Sequence, residues 1–167
     1  MRLTFGGIVL KRLDIADLEL LRNWRNDAHI ADHMFFQEYI TPQMQKKWFI
    51  SLAENDYYFI IQHKHISIGL IHLSHHNEDE KSAEAGLFIH KKEYWGTHLP
   101  VLSSLALLQF AFETEKLEKI YAKVKKENNA AMQYNHALGF QNMSDEKLVL
   151  DVGNYQKTTT LLMQKIK

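Results

Sequence analysis

The stretch "HKKEYWGTHLPVLSSLALLQFAFE", residues 90–113, decides the fold. The strand-like run "AEAGLFIH" (83–90) leads into it. The chain then breaks at Gly96, meets Pro100 and becomes a helix expected from about Pro100 to Glu115. Apolar residues nearly encircle that helix, so it is expected to be well buried. A strand that ends in a glycine turn and starts a helix leaves several backbone N–H groups without partners. Those donors, together with the helix dipole, suit a phosphate. Pro100 fits the first helical turn because its missing N–H has no partner there in any case. The same letters also fit a plain strand-to-helix turn in which glycine merely permits the geometry.

Outward from this point the chain alternates between two periods. "GIVLKRL" (7–13) reads as a first strand, and "DIADLELLRNWRN" (14–26) places Leu18, Leu21 and Trp24 on one helical face. "TPQMQKKWFISLAEN" (41–55) is a second helix, with Thr41 as N-cap and Pro42 at the first helical position. "DYYFIIQHK" and "ISIGLIHLSH" form two strands joined by a short turn near His63 to His65, and "HNEDEKS" is a polar turn before the fourth strand. After the buried helix, "KIYAKV" is a fifth strand. "NNAAMQYNHALGF" is a short helix with an asparagine N-cap and Gly139 placed to end it. "EKLVLDV" and "KTTTLLMQKI" are expected to close the fold as an antiparallel pair, which could also pair across a homodimer. The expectation is a mixed α/β fold in one domain, residues 1–167.

Composition narrows the function. Twenty basic residues balance twenty acidic ones, which argues against nucleic acid as a partner. Nothing approaches the roughly 18 consecutive apolar residues of a membrane span, and "MRLTFGGIVLKRL" carries no secretory pattern, so a cytoplasmic protein is expected. There is no cysteine, which excludes disulfides, zinc–thiolate sites and a thiol nucleophile. Ten histidines raise the question of a metal, above all His63 with His65 and the run "SHHNED". These fall in turns and no third ligand has a recognisable spacing, so no metal is expected.

The order of elements, with "AEAGLFIHKKEYWGTHLP" and "NNAAMQYNHALGF", resembles the GNAT superfamily of acyl-CoA-dependent N-acetyltransferases over nearly the whole chain. "VLKRLDIADLELLRNWRND" and "WFISLAENDYYFIIQHKHISIGLIHL" resemble the branch of ribosomal-protein N-terminal and nucleotide-amino-sugar acetyltransferases. The resemblance implies a mostly antiparallel sheet splayed between strands 4 and 5 and flanked by about four helices. It implies acetyl-CoA as co-substrate, its pantetheine arm lying near Leu87, Phe88 and Ile89. The diphosphate would lie at Trp95, Gly96, Thr97, His98 and Leu99, with Asn128 near the arm. The family's diphosphate loop is often written WGKGxG in this branch. Here Trp95–Gly96 matches, whereas His98 and Pro100 replace later small residues.

Acetyl transfer to an amine needs a neutral nitrogen, a polarised carbonyl and a protonated leaving thiolate. Without cysteine no thioester-linked enzyme forms, so direct attack is expected, as the resemblance also implies. Glu84 shares a strand face with Gly86, Phe88 and His90 and is the first candidate base; it is equally readable as a strand-edge carboxylate or half of a salt bridge. Many family members carry a tyrosine acid four residues before the glycine of the "GF" pair; that position is Asn135 here. Tyr134 is its neighbour and also belongs to an apolar stripe with Ala131 and Leu138. Asn135 could hold a water or the thiol. The acceptor is expected over the first two helices. Arg25 could hold a phosphate or carboxylate, and Met34, Phe35 and Phe36 could form an apolar wall, although all four also read as ordinary surface and loop packing. A small-molecule amine is expected, an amino sugar by preference. A protein N-terminus, or a catalytically weakened binding module on the same fold, is the alternative.

Overall fold

The computed structural model describes residues 1–166. It opens with a hairpin that the reading above lacks: β1 (Arg2–Phe5) pairs antiparallel with β2 (Ile8–Arg12). Gly6 and Gly7 form its two-residue turn at φ +54° and +85°, the conformation that two-residue hairpin loops require. The chain then crosses one face of the sheet through α1 (Leu18–Asn26), α2 (Ala28–Ala31) and α3 (Pro42–Ser51). Thr41 caps α3 as expected, its hydroxyl accepting from the Met44 amide at 3.2 Å.

Three strands follow: β3 (Tyr57–His63), β4 (Ile66–Asn77) and β5 (Ser82–Ile89). Lys64 and His65, both at positive φ, turn β3 into β4. Then come α4 (Leu99–Gln109), β6 (Lys119–Lys123), α5 (Asn129–Ala137), β7 (Gln141–Asn142), β8 (Lys147–Asp151) and α6 (Val152–Ile166). The eight strands run in the order β1-β2-β3-β4-β5-β6-β8-β7, and every pair is antiparallel except β5–β6. Helix α4 is buried against β1, β2 and β4 on one face. On the other, α1 and α3 bury Leu18, Leu21, Trp24 and Trp48 against Tyr58, Ile60, Leu70 and Phe88. Among the described residues, no helix is long and apolar enough to cross a membrane.

The fold class is as expected: a mixed α/β domain with a splayed, mostly antiparallel sheet. The C-terminal pair is a correction. Residues 157–166 belong to helix α6, and the partners of β8 are β6 and β7. Three consecutive threonines favour a strand locally. The Asp151 carboxylate instead accepts the Asn154 amide at 2.8 Å and starts a helix. Tyr155, Leu162 and Ile166 then reach the core at helical spacing.

Candidate active site

The site begins where the sheet stops pairing. β5 and β6 match only at Ser82–Lys119, Ala83–Ile120 and Glu84–Tyr121. Beyond Glu84 the strands diverge, and residues Ala85 to Ile89 keep β4 alone as neighbour. The His90 amide donates to the Ile68 carbonyl at 2.8 Å. By the alternation of an antiparallel ladder, Gly86 and Phe88 then direct their main chain to β4, while Ala85, Leu87 and Ile89 direct theirs into the gap. Trp95 bears this out, its indole N–H donating to the Ile89 carbonyl at 2.8 Å across the open edge. The Phe88 side chain packs edge-on against Trp24 at 6.2 Å on the α1–α3 face.

The gap leads to the turn at Gly96. Gly96 adopts φ +74°, with open space where a side chain would stand, so glycine is required by backbone conformation rather than by crowding. Among the described residues the amides of Gly96, His98 and Val101 have no hydrogen-bond partner. The Thr97 amide donates to the Tyr94 carbonyl and the Leu99 amide to the Thr97 hydroxyl, each at 3.3 Å. Pro100 has no N–H. Three free amides at the head of an eleven-residue helix suit an anion, and two of them, Gly96 and His98, are among the residues named above. Asn128 caps α5, its side chain accepting from the Ala131 amide at 3.2 Å.

On the α1–α3 face, cross-strand register sets Tyr58, His72 and Gly86 in one row and Ser74 beside Glu84. The Glu84 carboxylate lies 3.5 Å from the Lys123 ammonium at the apex of the splay and is mostly shielded. His72 stacks on Tyr58 at 4.9 Å and lies over Gly86, where an added Cβ would come within 2.6 Å of its Nε2. Its Nδ1 is 3.1 Å from the Ser74 hydroxyl, which is 3.0 Å from Nδ1 of the exposed His75. Burial and the nearby Arg25 charge lower the His72 pKa to about 3, so the ring is neutral. The pattern "IHLSHH" placed these residues in a strand but gave no sign that His72 turns inward over a glycine of the next strand.

Tyr134 sits between α5 and α4. Its hydroxyl is 2.6 Å from the Ser104 hydroxyl and donates to the Pro100 carbonyl at 2.7 Å. Burial raises its pKa. The Asn135 side chain donates back to the Ala131 carbonyl at 2.8 Å along its own helix.

The remaining expected residues border the α1–α3 side. Arg25 lies over the Trp48 ring, 4.4 Å from its centre. Met34 is half-buried, while Phe35 and Phe36 are exposed on the loop after α2. That loop approaches the β6–α5 connection, where the Lys125 ammonium is 3.5 Å from the Asp32 carbonyl. Asp27, His29 and His90 bring three potential metal ligands within 4.8 Å of one another at the end of β5. Each is already engaged: His90 Nε2 is 2.5 Å from the Asp27 carboxylate and His29 Nε2 is 3.0 Å from the His90 carbonyl. These contacts tie the α1–α2 joint to the edge of the gap. Two hollows lie elsewhere, one of about 520 Å³ beside α6 and one of about 290 Å³ at the β4–β5 turn.

The family profile described as acetyltransferase (GNAT) domain matches residues 8–141. No curated protein matches the chain. Among solved structures, the spermidine N-acetyltransferase of Vibrio cholerae, in complex with CoA and spermine, superposes with a TM-score of 0.79 at 21% identity, covering 90% of this chain and 98% of that one. FdhC, described as a nucleotide-linked sugar GNAT, gives 0.82 at 20% identity over 98% and 97% of the two chains. A domain from Methanocaldococcus jannaschii gives 0.74 at 21% identity over 87% and 98%. The splayed sheet and its glycine turn define an acyl-transfer fold, and with the profile match across most of its length the chain belongs to the GNAT acetyltransferase family. It is an N-acetyltransferase.

Proposed function

We propose that this enzyme moves an acetyl group from acetyl-CoA to the primary amine of a small molecule by direct attack, with an amino sugar as preferred acceptor. The observation that carries the reading is the bare edge of β5 from Ala85 to Ile89, which runs directly into the free amides of Gly96, His98 and Val101. When bound, acetyl-CoA supplies an activated acyl carbon and a thiolate leaving group. The amides and the α4 dipole would hold its diphosphate, and the main chain of Leu87, freed from sheet pairing, would hold its arm as an added strand holds an edge. Trp95 caps Ile89 and limits how far that pairing extends.

Glu84, at the apex, draws an ammonium group to the point where the strands part and is the candidate to take its proton. The Lys123 ammonium stands beside it, 3.5 Å from the carboxylate. His72 stays neutral beside Gly86 and can accept a hydrogen bond from the amine at Nε2 while Nδ1 faces Ser74. Tyr134 is committed to Ser104 and Pro100, so its support of the site is to pin the first turn of α4. The loop bearing Met34, Phe35 and Phe36 borders the acceptor side. The name of the sugar-acting neighbour agrees with the preference. Calorimetry with acetyl-CoA tests the first half, since no heat up to millimolar coenzyme would leave a binding module on the same fold. Thiol release with amino sugars, peptides and polyamines tests the second.

A further inference from the structure

Arg25 is a part-buried cation without a counterion. It projects from α1 over Trp48 of α3, and its charge reaches Tyr58 of β3 and His72 of β4. Among the described residues it makes no hydrogen bond and no ion pair, although a guanidinium carries five donors. The carboxylates whose charges reach the same face are occupied: Glu84 by Lys123, and Asp56 by the amides of Ala53 and His75. The neighbouring arginine on α1, Arg22, shows the contrast, since it is paired with Glu19 and bonded to Tyr39 and Ile40. One turn before Trp48 on α3, Gln45 is 3% exposed and both polar atoms of its side chain lack partners. The side chain is part-buried, and that burial lowers the Arg25 pKa. A part-buried charge and a shielded amide left unpaired are costly and call for a partner.

We propose that the acceptor carries an oxyanion, a phosphate or a carboxylate, that docks on Arg25 on the α1–α3 face. This rests on the reading above that the α1–α3 face receives the acceptor. A planar guanidinium backed by an aromatic ring presents a two-pronged edge to such a group. The same geometry disfavours an acceptor whose charges are all positive. A polyamine would bring its ammonium groups toward a cation that has no carboxylate to shield it, whatever the acceptor of the spermidine-acting neighbour.

The test compares glucosamine, glucosamine 6-phosphate, its 6-carboxylate counterpart and spermidine as acceptors, by thiol release at fixed acetyl-CoA. The phosphate- or carboxylate-bearing amine is expected to exceed glucosamine in kcat/KM by about tenfold or more, the worth of one charge-assisted contact. The two anionic probes separate the two sources of the oxyanion. In Arg25→Gln that ratio is expected to collapse toward one, and in Arg25→Lys, which keeps the charge but loses the fork, to fall part of the way. A second readout needs no turnover. Inorganic phosphate is expected to raise the melting temperature of the wild type more than that of Arg25→Gln. Equal use of neutral and anionic amines, preference for spermidine, or an equal phosphate shift in both proteins overturns the proposal. Failure to bind acetyl-CoA strikes the acetyl-transfer reading instead and leaves the phosphate comparison to decide this one.

Discussion

Lowering the pH from 8 to 5 acts on the shielded imidazole of His72. Its pKa falls from the ordinary 6.5 to about 3 in the folded protein, with burial as the main cause and the Arg25 and His75 charges adding to it, while Asp56 opposes them. Tyr58 stacks on the ring, and Glu84 stands one register position away across from Ser74. The unfolded chain therefore binds a proton below 6.5 that the native protein refuses. The stabilising contribution of the neutral ring is complete above pH 6.5 and is lost as pH falls toward 3. Between pH 8 and 5 the loss is about 2 kcal/mol, and by pH 4 about 3 kcal/mol. Urea unfolding of the wild type and of His72→Gln across this range isolates the contribution, because other titrating groups cancel in the difference between the two proteins. The variant is expected to be less stable at pH 8 and to close the gap by about 2 kcal/mol at pH 5. A gap that stays constant with pH would refute the argument that this ring is held neutral. Arg25→Met removes a repelling charge and is expected to make the wild-type acid limb shallower.

Three further outcomes follow from particular contacts. Tyr134→Phe removes bonds to Ser104 and Pro100; a loss of about 1–2 kcal/mol in thermal unfolding is expected, with kcat reduced little, whereas a large fall in kcat without loss of stability would make the hydroxyl the proton donor. Gly96→Ala places a side chain at φ +74° at a strain of about 1–2 kcal/mol, and calorimetry is expected to show weaker acetyl-CoA binding. Glu84→Gln is expected to lower turnover with little change in coenzyme affinity; unchanged turnover in the thiol assay removes Glu84 from the chemistry.

The sequence by itself determined what depends on neighbours along the chain. Alternation in "YYFIIQH", helical spacing of Leu18, Leu21 and Trp24, the Thr41 and Asn128 caps and the break at Gly96 are local preferences, and they fixed the order of elements and the place of the turn. The Gly6–Gly7 hairpin is an equally local signal, two consecutive glycines between alternating runs. The three threonines of α6 gave a local signal that tertiary packing overrode, because Tyr155 and Leu162 reach the core only on a helix. The Arg22–Glu19 pair is local, whereas which amides stay free, where Tyr134 points, and that Arg25 stands without a counterion depended on tertiary packing, as in the contact of Tyr134 with Ser104 30 positions away. Those facts come from the register of the strands and the closure of the helices over them, since sequence spacing constrains a side chain's neighbours only within a turn or two.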